Sequence, residues 1–519
     1  MNIYKKKLTS ALFIASALTF TSVSLATTYD LVIKNGRVID PETGLDAKRW
    51  VGINAGKITK VSESSIMGKK VIDATGLVVS PGFIDLHAHG QFLPSARLQA
   101  FDGVTTALEL ESGVLEVDKF YNNIAKEGRP INYGASASWT MARAAVLDGA
   151  SYQGMPGEGL GIFALPNWST KLATKAQQKD IVAVVEKAIN AGAIGIGIMS
   201  GYSPNSNRKE NYQLHKLAAK YDVPSFNHIR YVSAKEPKSS FEAYQELISV
   251  AASTGAHAHI SHLNSTSLRD IEDVAELVLN AQQQGVKISV EAYPYAAGST
   301  AIGAQMFRGE HWKERLGNVS ESDFYFNGKQ LTPESFKELQ DNHPTSVIIF
   351  HYLDPEHSVS DQHIYDIAQL FPNGAVASDG LGMLDGNTGK VISGDVWPLP
   401  ERVITHPRSA GTYSRFVRQF VKERKKVSLI EAIRKMSLIP AQILEESVEQ
   451  MRFKGRIQEG SDADIVIFDL AELSDRATFI QPALTSQGMK SVIVNGTLVI
   501  ENGKLIKSAL PGKAIRRGN

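Results

Sequence analysis

The chain has 519 residues, 55 lysines and arginines against 54 aspartates and glutamates, and no cysteine. A formal net charge of +1 gives no global field that would draw it to nucleic acid or an acidic membrane. The lack of cysteine excludes disulfides and thiolate ligands, so any metal site must be built from histidine and carboxylates.

At the N-terminus Lys5, Lys6 and Lys7 precede an apolar run from Leu8 to Phe20 and the small residues around Ser24-Leu25-Ala26. This pattern predicts an export signal over residues 1–26 and a periplasmic protein. The run falls short of the roughly 20 apolar residues of a spanning helix, so no membrane association is expected after cleavage.

From Tyr29 to about Asp73 short apolar runs alternate with Asn35-Gly36, Pro41-Glu42-Thr43-Gly44 and Ala55-Gly56, the pattern of hairpins. It returns near the other end, at Asp464 to Phe468 and Val492 to Ile500. Residues 27–75 and 451–519 are therefore expected to form one small β-sandwich domain from both chain ends, with residues 76–450 between them as a second domain.

That middle segment alternates apolar runs with helical stretches. One run ends at His87; the others go from Val104 to Leu110, Ile131 to Ala137, Ala193 to Met199, Val223 to Asn227, Ala256 to Ser261, Lys287 to Ala292 and Ala375 to Ser378. Eight such runs predict a closed (β/α)8 barrel, an α/β fold, with Ser346 to Phe350 as an extra strand. The long loops after the seventh and eighth runs are expected to shape a substrate site. The basic tail, Lys513, Arg516 and Arg517, reads as solvated surface.

In a barrel of this kind chemistry sits where the strands end. His87 and His89 stand one residue apart at the end of the first run and project to the same side, as metal ligands do. His228 and His262 lie just beyond the fifth and sixth runs, and Asp379 follows the eighth, placed to contact a metal and hold the proton of an attacking water. Glu109 and Glu111 share one face of the second strand, and two acids pointing into a barrel need a cation or a proton. Glu111 is nearer the mouth; the other reading pairs one of the two with a basic residue. His257 and His259 oppose the parity of His262 unless a bulge intervenes, which makes them packing or supporting groups. His215, His311, His343, His351, His357 and His363 carry no site signal.

The ordered motifs H-x-H, G-V-T-T, N-H-I-R, I-S-H, Y-P-Y followed by S-T, S-D-G, H-P-R-S-x-G-T and G-x-I-x-x-G-x-D-A-D-I-V-I-F-D resemble the amidohydrolase superfamily, and within it the N-acyl-D-amino-acid deacylases. The resemblance implies zinc, one or two ions, held by His87, His89, His228 and His262, with Asp379 as the catalytic proton shuttle and Tyr293, Ser299 and Arg408 contacting substrate. It implies hydrolysis of a small N-acyl-D-amino acid to a carboxylate and a free D-amino acid. A planar guanidinium at Arg408 suits a carboxylate.

The chain also departs from that pattern. Where the deacylases carry G-N-C-G, Leu110-Glu111-Ser112-Gly113 stands here, so the thiolate is missing and Glu111 is the candidate bridging ligand. Asn264 replaces a family lysine, and the segment from Leu381 to Thr405 is longer. The fourth run, Gly195 to Met199, has no lysine for a carbamate bridge, which argues against a hydantoinase. The alternatives are a dipeptidase or a cyclic amide or imide hydrolase of the dihydroorotase and hydantoinase kind, and, outside enzymes, a periplasmic small-molecule binding protein. Imidazole-rich ligand sets suit zinc, though manganese and cobalt accept the same donors. Oligomeric state is open.

Overall fold

The computed structural model describes Met1 and residues 28–518, so the predicted export signal lies outside the described residues apart from Met1. All eight predicted runs form parallel strands of one sheet, in the predicted order: Phe83–Asp85, Val104–Val114, Asn132–Ser138, Ile196–Met199, Ser225–His228, Ala258–Ile260, Ile288–Ala292 and Ala375–Val376. These strands are buried almost throughout, as strands enclosed by helices on one side and packed side chains on the other must be, and that is why they read as apolar runs.

The seam between the first and eighth strands is closed largely by one side chain. Asp85 Oδ1 accepts from the backbone N–H of Ser378 at 3.0 Å and of His87 at 3.1 Å, while the Ser378 hydroxyl donates to Oδ2. Just beyond, the N–H of His89 donates to the carbonyl of Gly380 at 2.8 Å. Burial pushes the Asp85 carboxyl up to about 6, against the pull of its hydrogen bonds. Asp85, two residues before His87, thus also fixes where the H-x-H pair emerges.

Between the seventh and eighth strands an antiparallel sheet is inserted, with Val347–His351 between Ala297–Ala301 and Phe324–Phe326. This is the predicted extra strand. Its underside is aromatic: Phe324 stacks on Phe350 at 4.5 Å and Trp312 on Phe336 at 5.2 Å.

The two chain ends meet in one nine-stranded sheet. Thr28–Asp40 pairs with Leu45–Asn54 along one edge; along the other it meets Met67–Asp73 in its first half and Val78–Pro81 in its second. Ile465–Phe468 adds onto Val78–Pro81, followed by Met489–Val494 and Thr497–Glu501. The predicted sandwich is therefore hydrogen-bonded as one branched sheet, and its N-terminal part runs to Pro81, past the expected boundary at residue 75, because the turn at 74–77 returns the chain to the same sheet before it enters the barrel.

Of the basic tail, Lys513 is exposed as expected, whereas Arg516 and Arg517 are half-buried. Arg516 lies over the Tyr121 ring at 4.8 Å and Arg517 over Tyr221 at 5.3 Å, and Tyr121 Oη donates to the Ile515 carbonyl at 2.7 Å. Aromatic faces on the outer helices hold these guanidiniums against the barrel. Among the described residues no helix is long and apolar enough to cross a membrane.

Candidate metal centre

The second strand is eleven residues long and overshoots its neighbours, which carries Glu111 to the rim where His87 and His89 emerge. His228 ends the fifth strand. His262 reaches the same mouth by a left-handed backbone, φ 35°, two residues beyond the sixth strand, and Asp379 does so with φ 51°. That turn, rather than a bulge, reverses the parity of His262 relative to His259. Left-handed backbone at a non-glycine residue costs about 1–3 kcal/mol and persists where the surroundings impose it, which is common at functional sites. Gly201 makes room for His228: a Cβ at Gly201 would stand 2.3 Å from His228 Nδ1.

The side chains converge. His87 Nε2 lies 3.0 Å from His89 Nε2, 3.3 Å from Glu111 Oε2 and 3.5 Å from Asp379 Oδ1. His262 Nε2 lies 2.8 Å from Glu111 Oε1. Ligand atoms of His87, His89 and Glu111, of Glu111, His228 and His262, and of His87, His262 and Asp379 all fall within 4.8 Å of one another in each trio. Glu111 thus stands between two clusters of imidazoles. Glu109 stands behind: His89 Nδ1 donates to its carboxylate at 2.9 and 3.0 Å. Neither glutamate pairs with a lysine or arginine among the described residues, so the partners of both are imidazoles.

The arrangement fits a divalent cation. His87 Nδ1 donates to Glu291 at 2.5 Å and His89 Nδ1 to Glu109, so in the neutral rings both Nε2 atoms are bare lone pairs, and they face each other. Glu111 Oε1 and His262 Nε2 approach without the direction of a hydrogen bond, as two ligand atoms aimed at a common third point do. Nitrogen and carboxylate donors at this spacing suit zinc and its neighbours.

Electrostatics agree. Burial depresses the His89 imidazole, but Glu109 and Asp379 outweigh it and raise the ring to about 10; His87 is likewise raised, by Asp379, Glu111 and Glu291, against its own burial. The cluster demands positive charge, which protons supply when a metal does not. His228 is pushed down to about 4 by burial and stays neutral, its Nδ1 donating to the Ile229 carbonyl at 3.0 Å and its Nε2 left as a lone pair. Burial would raise the Asp379 carboxyl, yet Arg408 and His87 hold it well below the usual carboxylate range.

Arg408 opens the helix Arg408–Phe416, and its buried guanidinium lies over the Tyr293 ring at 4.6 Å with Nη1 2.9 Å from Asp379 Oδ2. Among the described residues Nε and Nη1 have no hydrogen-bond partner. Nη2 donates to the carbonyl of Ser299 at 3.3 Å. It is therefore the backbone of Ser299 that faces Arg408, while its hydroxyl is spent on the Ile348 carbonyl at 2.8 Å. Asn264 does not face the mouth as a free group either: its amide donates to Tyr352 Oη at 2.7 Å and to the Tyr293 carbonyl at 3.2 Å.

Two residues near the centre carried no sequence expectation. Tyr202 packs edge-on against His228 at 4.8 Å and bonds Thr300 Oγ1 at 2.8 Å; no motif marks it. Glu291, behind His87, shares strand parity with Tyr293, and that alternation was the available signal.

The chain matches the family model described as Amidohydrolase family over residues 70–265 and 164–500. An N-acyl-D-glutamate deacylase of Alcaligenes xylosoxydans xylosoxydans is 24% identical, over 94% of this chain and 96% of its own. The crystal structure of N-acyl-D-glutamate deacylase from Bordetella bronchiseptica complexed with zinc and a phosphonate inhibitor superposes with a TM-score of 0.72 at 22% identity, covering 94% of this chain and 100% of that one. A D-aminoacylase structure, described by its binuclear metal center, gives 0.73 at 21% identity over the same shares. The barrel and the returning strands of the small sheet both lie within the matched residues, and the chain belongs to the amidohydrolase family.

Proposed function

We propose that this amidohydrolase cleaves the amide bond of an N-acyl-D-amino acid, giving a carboxylate and a free D-amino acid, with one or two zinc ions held by His87, His89, Glu111, His228 and His262. The observation that carries the reading is Arg408: a buried guanidinium whose Nη1 is paired with Asp379 Oδ2 at 2.9 Å, beside the metal cluster, and whose Nε–H has no acceptor among the described residues. When bound by these residues, zinc would supply Lewis acidity to the scissile carbonyl and lower the pKa of the attacking water. Asp379 Oδ1, 3.4 Å from His89 Nε2, takes the proton of that water and returns it to the leaving nitrogen. Arg408 meets the α-carboxylate while Tyr293 backs the guanidinium, so one end of the substrate is fixed relative to the carbonyl and only one enantiomer presents its side chain to the remaining space.

Ring opening of a cyclic amide is the second reading, and Arg408 discriminates against it. The Nε–H edge of Arg408 has no acceptor among the described residues, and a cyclic amide brings no carboxylate to meet it. Assay of the zinc-loaded protein on N-acyl-D-amino acids, their L enantiomers, their α-amides and cyclic imides tests the assignment. Hydrolysis confined to the D acids is expected; equal turnover of amides or cyclic imides would overturn it. The export pattern of residues 1–26 supports placing the enzyme in the periplasm, which cell fractionation checks by the activity recovered there.

A further inference from the structure

The inward-facing residues of the sixth and seventh strands form a polar column that begins at His87 and descends to the opposite end of the barrel. Glu291 Oε1 accepts from His87 Nδ1 at 2.5 Å. The other oxygen, Oε2, lies 3.2 Å from His259 Nε2. His259 Nδ1 is 2.8 Å from Ser289 Oγ, and Ser289 Oγ is 2.8 Å from His257 Nε2. His257 immediately precedes the sixth strand, on the floor away from the mouth, and the ladder pairs His259 with Ser289 across the two strands.

Glu291 Oε1 accepts from His87 Nδ1–H, which leaves Nε2 of the neutral His87 ring as a bare lone pair. Below it, Glu291 Oε2 stands 3.2 Å from His259 Nε2 without the direction of a hydrogen bond, and the Ser289 hydroxyl bridges His259 Nδ1 and His257 Nε2. Burial keeps His257 neutral, pushed down to about 3.

We propose that Glu291 is a positioning residue of the metal centre: braced by His259, Ser289 and His257, it holds His87 as the Nδ1–H tautomer and keeps the His87 Nε2 lone pair on the metal. The proposal rests on the metal reading of the mouth. It assigns a function to two histidines, His257 and His259, that reach no ligand position themselves. Partners of this kind are worth about 10–100-fold in metal affinity.

Glu291→Gln keeps the shape but replaces one acceptor oxygen by a donor and removes the charge that faces both rings, so the His87 Nδ1–H bond should weaken or the ring turn over its tautomer. Two measurements on the full-length protein test the proposal: zinc affinity and stoichiometry by competition with a chromophoric chelator, and ring tautomers by NMR of the 15N-histidine-labelled, zinc-loaded protein. In the parent, His87 is expected as the Nδ1–H form. Glu291→Gln should loosen zinc about 10–100-fold at one position and leave any second position unchanged. Ser289→Ala, which removes one hydroxyl and serves should Glu291→Gln not fold, should weaken the same position several-fold.

Parent-like zinc affinity in either folded variant, or His87 found as the Nε2–H form in the parent, overturns the proposal while leaving the metal reading intact. A parent that takes up no zinc overturns both.

Discussion

Glu109 and Glu111 leave the same face of the second barrel strand, yet their carboxylates end on opposite sides of the His89 ring. Glu109 accepts from Nδ1 at 2.9 Å, whereas Glu111 Oε2 lies 3.9 Å from Nε2 and its other oxygen reaches His262. Glu109 orients the His89 ring, and Glu111 stands among the imidazoles. Glu111→Gln should therefore lower the zinc retained through gel filtration more than Glu109→Gln, which is expected to cost about 10-fold in affinity. Metal analysis of both variants checks this, and the reverse order would exchange their roles.

Asp379 is held ionised by Arg408 and His87 against its burial. Asp379→Asn keeps the shape and cannot take a proton, so turnover should fall by about 10² to 10⁴ while zinc content is largely retained. Near-normal turnover, read from steady-state kinetics on the metal-loaded variant, would leave Asp379 as a residue of the following turn only.

How far this site could be read from the chain depended on whether backbone regularity held. The strand ends bearing His87, His89 and His228 were legible because strands buried on both faces are apolar runs, and the residue after a run lies at the mouth. His262 and Asp379 were placed by the same logic, but the φ of 35° that turns His262 away from the parity of His259 is a local reversal that alternation does not encode. The tail misread for another reason: the rings that hold Arg516 and Arg517, Tyr121 and Tyr221, lie hundreds of residues earlier in the chain, and only the closed fold brings them together. Ser299 was legible as a position and not as a group, since hydroxyl and carbonyl of one residue face different ways.

Metal-free protein should be pH-sensitive in a defined direction. The His89 ring rises from 6.5 to about 10, so its contribution to stability is fully present below pH 6.5 and is lost as pH rises through 10. Thermal unfolding of the metal-free protein should show a midpoint that falls over that window, and the zinc-loaded protein should not show the same fall, because the cation replaces the protons. Parallel unfolding curves for the two forms would argue against His89 as a ligand.

Arg408→Lys keeps one positive charge and loses the planar fork. If the guanidinium meets the substrate carboxylate as proposed, catalytic efficiency on the acid should fall strongly and the acid-over-amide preference should shrink. Comparing kcat/KM for an N-acyl-D-amino acid and its α-amide in parent and variant checks both effects; an unchanged ratio would remove Arg408 from substrate recognition.

Whether metal at this cluster drives hydrolysis of N-acyl-D-amino acids is tested by a zinc titration of metal-free protein while release of the free D-amino acid is followed, with the L enantiomer run alongside. Release should be absent without metal, rise as the His87, His89, Glu111, His228 and His262 cluster fills, and remain negligible for the L substrate. Full hydrolysis by metal-free protein, or equal release from both enantiomers, would contradict it.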